Sequence, residues 1–165
     1  LQSGHRICGA LRGRKHSIYE GGFRVPFLAR WPGQIAAART TDEVIGLTDV
    51  MATCAALIGV SLPDTAAEDS VNLLPLWRGE AAAKGREHLV LKSANGIFAV
   101  REGSWKLIEQ SEIAPGQKRE PENNNQLYDL SSDPTETQNR WEDQPEIVLR
   151  LRRLLESTQK QSGAQ

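Results

Sequence analysis

Lys15 has the clearest opening for chemistry in this sequence. It stands in the run Lys15-His16-Ser17-Ile18-Tyr19-Glu20-Gly21-Gly22-Phe23-Arg24-Val25-Pro26. Consecutive glycines at 21 and 22 permit a close backbone approach or a positive φ. An ammonium presented beside such a turn could meet an oxyanion, as a flexible point charge with three donors. His16 and Ser17 adjoin it and could face the same substrate, although a loop lysine without such neighbours is simply solvated. The other reactive residue types are scattered. His5, His16 and His88 show no ligand spacing with Cys8 or Cys54, which excludes a zinc motif. Two cysteines make no disulfide framework, and one isolated pair is silent about compartment.

Several elements would have to position that lysine. Phe23–Trp31 is rich in β-formers and ends at Pro32-Gly33, which predicts a short strand and a turn; Pro26 confines it to a strand start or edge. Asp49–Ile58 repeats apolar residues at Val50, Met51, Cys54, Leu57 and Ile58, a helical recurrence with Thr48 as N-cap and Gly59 as C-terminal stop. Leu73–Trp77 predicts one short helical turn, and Ala81–Gly85 a connector. From His88 the texture becomes that of hairpins. Strands are expected at His88–Lys92, Ile97–Arg101, Trp105–Glu109 and Leu127–Leu130, with a tight turn at Glu102-Gly103. Ala114–Gln126 lacks apolar content and should be a solvated loop. A last helix is expected from Pro145 to about Thr158, with Ile147, Val148, Leu151, Leu154 and Leu155 on one stripe and Gln159–Gln165 frayed.

Composition removes whole classes. With 165 residues, 20 Lys+Arg and 21 Asp+Glu, the formal net charge is −1. That balance argues against a nucleic-acid footprint. No apolar run approaches a membrane span. Hydrophobic residues at 39% are too many for a disordered chain. Leu1-Gln2-Ser3-Gly4-His5-Arg6 has neither an initiator Met nor a signal pattern, and reads as a chain entered in mid-course.

The motif around Lys15 resembles a known family. Leu11-Arg12-Gly13-x-Lys15-x-x-x-Tyr19-Glu20-Gly21-Gly22-x-Arg24-Val25-Pro26, followed by Arg30-Trp31-Pro32-Gly33, is similar to the second signature region of the sulfatases. The resemblance continues in register. Asp49-x-x-x-Thr53 with Gly59 resembles the family's Asp-x-x-Pro-Thr helix. Arg101-x-Gly103-x-Trp105-Lys106-Leu107-Ile108 resembles a hairpin of its C-terminal subdomain. Leu127-Tyr128-Asp129-Leu130-x-x-Asp133-Pro134-x-Glu136-x-x-Asn139 resembles the segment before its last helix.

The resemblance implies an α/β fold in an alkaline-phosphatase-like architecture. Residues 1–84 would be the last part of the α/β core, and residues 85–165 a small four-stranded antiparallel subdomain with a C-terminal helix. It implies that Lys15 binds a sulfate oxygen and can offset charge developing as the ester cleaves, with His16 as a second substrate-facing residue. Glu20, Gly21, Gly22 and Arg24 would shape the turn, and the four tryptophans would serve packing. The family's nucleophile is a formylglycine and its metal is usually calcium. Residues 1–13 contain no Asp, so ligands and nucleophile are expected in a parent protein, upstream of this chain. Cys8-Gly9-Ala10-Leu11-Arg12 formally fits a loose formylglycine motif but lacks its continuation, and is read as coincidence. The partner implied is a sulfate ester, small or on a glycan, without nucleic acid or membrane. Self-association through an uncovered core face is expected, and the chain alone should be inactive. Family habit places such proteins in the periplasm, outside the cell or in lysosomes. The alternatives are a related phosphodiesterase or phosphonate hydrolase parent, and a stand-alone non-catalytic interaction module.

Overall fold

The computed structural model describes residues 6–109 and 125–161. Its elements run α1 (Glu20–Phe23), α2 (Asp49–Ile58), α3 (Leu74–Arg78), β1 (His88–Lys92), β2 (Phe98–Glu102), β3 (Trp105–Glu109), β4 (Gln126–Asp129) and α4 (Pro145–Gln161). The four strands form one sheet in sequential order. This is the mixed α/β architecture expected from the sequence, with the small sheet followed by a C-terminal helix.

The chain divides into two compact units. One combines Leu1–Val25 with Val90–Gln165, and the other is Pro26–Leu89. The junctions between the units fall at 25/26 and 89/90. Ile18 and Tyr19 pack into the sheet's core and so belong with it rather than with the residues after Val25.

In the first unit, period-2 alternation gives the sheet two apolar faces. Ala99, Ile108 and Tyr128 join Ile97, Ile18 and Tyr19 on one face. Val100, Leu107 and Leu127 point the other way and pack with Val148, Leu151 and Leu155 of α4. Burying side chains such as Leu151 and Leu155 contributes about 1.5–3 kcal/mol each. β2 and β3 pair antiparallel with Glu102 opposite Trp105, so Gly103-Ser104 is the two-residue turn. Gly103 takes φ 56°, the left-handed conformation such a turn requires. β3 and β4 are also antiparallel, with Lys106 opposite Tyr128. Gln126 belongs to β4 and is buried, which corrects the far end of the expected Ala114–Gln126 loop. The rest of that loop, apart from Asn125, lies outside the described residues, as do 162–165. α4 runs through Gln161, past the expected end at Thr158.

The second unit is built on α2 and α3. α2 has the expected bounds and ends on Gly59 at φ 72°. Its N-terminus differs from expectation: Thr48 is helical, at φ −59° and ψ −28°, and makes no side-chain cap. The Asp49 carboxylate instead accepts from the Gly46 N–H at 2.7 Å and the Val71 N–H at 2.9 Å. The buried residues of α2 are Asp49, Thr53 and Ala55, whereas Met51, Leu57 and Ile58 of the predicted apolar stripe are exposed. The polar pair turns inward because its hydrogen bonds lie there. Thr53 Oγ1 donates to Asp49 O at 2.6 Å and accepts from Leu73 N at 2.9 Å. Arg86 adds three contacts of 2.6–3.0 Å to the Asp49 carboxylate.

No strand forms over Phe23–Trp31. Phe23 closes α1, and the following residues run without ladder bonds, with Val25, Phe27 and Leu28 exposed. Pro26 cannot donate, and among the described residues no strand lies beside this segment to pair with it. No helix among the described residues is long and apolar enough to cross a membrane.

Candidate functional site

The loop that carries Lys15 is closed at its base and open at its tip. Gly21 N–H donates to Arg12 O at 2.8 Å, which closes residues 12–21 into a loop. At the tip, Ser17 N–H donates to Arg14 O at 2.9 Å, and Arg14 N–H donates to Ser17 Oγ at 3.1 Å. Lys15 and His16 are the two central residues of that turn. His16 adopts φ 83°, a conformation that costs a non-glycine residue energy and persists when its surroundings over-determine it. Ala94 N–H supplies part of that constraint by donating to His16 O at 3.3 Å. Both Lys15 and His16 are exposed. Among the described residues, Lys15 has no ion-pair partner. The sequence-predicted pair is thus brought together on one turn, with its ammonium available to an outside anion.

The glycines matter through close approach rather than positive φ. A Cβ on Gly21 would come within 2.5 Å of Arg12 O, and one on Gly22 within 2.2 Å of Ser17 O. At Gly13 both reasons apply, since φ is 80° and a Cβ would fall 2.2 Å from Ser17 Oγ.

Beneath the loop lies a buried polar cluster. On the sheet, Arg101 and Lys106 stand directly opposite each other, and Lys106 is also opposite Tyr128. Two cations in a direct cross-strand pair repel. Glu20 relieves this, with Oε1 at 3.0 Å from Lys106 Nζ and Oε2 at 3.5 Å from Arg101. Glu136 provides the second carboxylate, 2.8 Å from Lys106 Nζ. Lys106 and Glu136 are both fully buried. Glu136 Oε2 also accepts the Glu20 backbone N–H at 2.7 Å, while Glu136 O accepts from the Arg12 guanidinium at 2.7 Å. Arg12 further donates to the Tyr128 hydroxyl at 3.0 Å and lies 3.8 Å above the Tyr19 ring. Both tyrosine hydroxyls donate to Gln126 Oε1, at 3.1 Å from Tyr19 and 2.6 Å from Tyr128.

Burial pushes the Glu136 carboxyl above its ordinary range, and the Lys106 charge opposes this only in part. Burial likewise raises the Tyr128 phenol, against the Arg12 charge, so it stays a hydroxyl donor. The centre of this cluster, Lys106 and Glu136, is closed to solvent, and its chemistry is that of an anchor: it ties both ends of the Lys15 loop to the sheet.

Motif spacing did not reveal this convergence. Arg12, Tyr19 and Glu20 come from one motif, Lys106 from a second, and Tyr128 and Glu136 from a third. The available signal was a lysine between Trp105 and Leu107 in an apolar strand, a position that demands a buried counter-charge. Of the remaining candidates, Cys8 donates its thiol hydrogen to Gly21 O at 3.1 Å, and Cys8 and Cys54 are both free thiols. Of the tryptophans, Trp105 and Trp141 adjoin the α4 core, Trp77 lies 5.6 Å from the Phe27 ring, and the Arg78 guanidinium lies 5.7 Å from the Trp31 ring. Among the described residues, no three His, Cys, Asp or Glu side chains gather as a metal site.

Residues 14–161 match the family model described as N-sulphoglucosamine sulphohydrolase, C-terminal. The chain is 39% identical to an N-acetylgalactosamine-6-O-sulfatase of Bacteroides thetaiotaomicron, over 94% of its own length and 31% of the relative's. It is 34% identical to arylsulfatase A of Bos taurus, over 90% of its length and 32% of the relative's. A solved structure from work on glycosaminoglycan metabolism by Bacteroides thetaiotaomicron superposes with a TM-score of 0.83 at 36% identity. The match covers 96% of this chain and 34% of that one. The chain therefore spans about a third of the length of the curated relatives it matches over most of its residues.

Proposed function

We propose, from the premise that this chain belongs to the sulfatase family and matches its C-terminal region, that it supplies the anion-holding lysine of a sulfate-ester hydrolase. Lys15 binds a sulfate oxygen and offsets the charge that develops on it as the ester bond breaks. His16, next to it on the same turn, contacts the remainder of the substrate. The observation that carries this reading is the contrast within one loop. Residues 12, 19, 20 and 21 are tied down by buried hydrogen bonds and ion pairs, while the cation at the tip is exposed and unneutralised by the described residues.

The formylglycine and calcium of the family find no holder among the described residues. No cluster of metal-binding side chains forms among the described residues, and the Cys8 thiol is engaged with a backbone carbonyl. The role assigned to this chain is binding and orienting the anion. A sulfated glycan is the favoured substrate class, and an N-acetylgalactosamine 6-O-sulfate is the first compound to assay, given the specificity named for the 39%-identical relative.

The test is Lys15→Ala in the whole protein that carries these residues, assayed with that ester. The expected loss in kcat is about 10²–10³-fold, the usual effect of deleting one preorganised charge-stabilising group, with an unchanged thermal midpoint. Wild-type turnover by the variant would refute the role of Lys15. Preferential hydrolysis of a phosphodiester by the wild-type protein would move the substrate from sulfate to phosphate.

A further inference from the structure

We propose that Glu136 is a positioning residue for Lys15: it fixes the two ends of the Lys15 loop at one point and so sets where the ammonium stands. The inference rests on the reading of Lys15 as an anion ligand.

Three bonds to Glu136 carry it. Its carbonyl oxygen receives Arg12, at the entrance of the loop, at 2.7 Å. Its Oε2 receives the Glu20 backbone N–H, at the exit, at 2.7 Å. Its Oε1 receives Lys106 of β3 at 2.8 Å. One residue thus ties entrance, exit and sheet together. The tie is rigid on the Glu136 side, because this residue is fully buried and sits at φ 54°. Left-handed backbone at a glutamate is unfavourable, and surrounding contacts must hold it there. Here they do: Asp133 accepts the Thr137 and Gln138 N–H groups at 2.8 Å each, just beyond Glu136, and Glu136 N–H donates to Asp133 O at 3.2 Å. Glu136 lies over one hundred positions from Lys15 in sequence, yet the Arg12–Gly21 bond leaves the short loop few ways to move once its base is fixed. A displacement of about 1 Å at a reacting group is enough to cost about 10²-fold in rate.

The experiment is a double-mutant cycle of Glu136→Gln with Lys15→Ala in the whole protein, reading kcat, KM and the thermal midpoint with an N-acetylgalactosamine 6-O-sulfate. Gln keeps the shape of Glu136 but replaces one acceptor oxygen by an NH2 donor, so it cannot accept from both Lys106 and the Glu20 N–H. Glu136→Gln in the wild-type background is expected to lower kcat by about 10–100-fold, with a smaller change in KM. In the Lys15→Ala background the same substitution should lower kcat by no more than about threefold, because its effect passes through a side chain already removed. An equal loss in both backgrounds, or no loss in either, overturns the positioning role while leaving Lys15 as an anion ligand. A Lys15→Ala protein with full activity overturns the underlying reading instead. Should Glu136→Gln fail to accumulate folded, Arg12→Lys replaces it in the cycle. That substitution loosens the other tie to residue 136 from a partly buried position, and the same two outcomes decide.

Discussion

Lys106 sits at the centre of the energetics of the first unit. It is fully buried, and its ammonium lies between Glu20 and Glu136 at 3.0 and 2.8 Å. Removing one member of such a group leaves the others as uncompensated buried charge, which typically costs 3–5 kcal/mol. Lys106→Met is therefore expected to destabilise the first unit by about that amount, read as a drop in the urea midpoint followed by Trp105 and Trp141 fluorescence. Adding Glu20→Gln and Glu136→Gln should recover part of the loss, because the two orphaned carboxylates go with it. No recovery in the triple variant would show that Lys106 acts through its packing alone. The sequence displayed every member of this group, each in a separate motif. Their meeting was not legible, because spacing along the chain says nothing about which face of a strand meets which loop.

At the scale of elements, α2 shows how a polar pair can override an apolar stripe. Val50, Met51, Cys54, Leu57 and Ile58 were readable as a helical recurrence, and the helix bounds follow that reading. The side of the helix that turns inward did not. Asp49 and Thr53 hold residues 71–73 and Arg86 through directed bonds, and those bonds set the rotation of the helix. A pH dependence follows. Burial pushes the Asp49 carboxyl up, but the Arg86, Gly46 and Val71 hydrogen bonds outweigh it and leave it below its ordinary value of 3.8. Asp133 is also below 3.8, for the same balance of burial against hydrogen bonds from Gln138, Thr135 and Thr137. The folded carboxylates bind fewer protons than the unfolded chain near pH 4, so stability rises with pH there. Each contribution is complete above the unfolded value and is lost as pH falls through the folded one. Glu136 has the opposite sign: its carboxyl is raised above 4.5, so acidification through its folded value adds stability. Hydrogen exchange measured between pH 5 and pH 3 should show Pro26–Leu89 losing protection towards the acid end. Asp49→Asn should flatten that loss in Pro26–Leu89 while leaving the other unit unchanged. Equal acid profiles for variant and wild type would remove Asp49 from the account.

For the whole molecule, the decisive feature is what the second unit leaves in water. Leu28 is 90% exposed and Ile58 69%, and Leu47, Met51 and Leu57 are exposed with them. Apolar surface of this kind favours association. The chain alone is expected to form oligomers as concentration rises, measured by sedimentation velocity, and Leu28→Glu with Ile58→Glu should shift it towards monomer. A wild-type chain that stays monomeric with one cooperative melt would contradict this.

The sequence by itself determined the helix at Asp49–Ile58, the four strands within a residue or two of their bounds, the closing helix, the family, and the residue proposed to meet the anion. Local periodicity, turn chemistry and motif order are properties of neighbouring residues, and these survive without a third dimension. The tertiary structure decided the rest. Phe23–Trp31 is not a strand, because a strand requires a partner as well as a composition. Gly21 and Gly22 are required by the backbone that crosses them, not by their own φ. The two ends of the Lys15 loop meet at Glu136, far along the chain, because two buried carboxylates and a buried ammonium are stable only where folding places them within hydrogen-bonding distance.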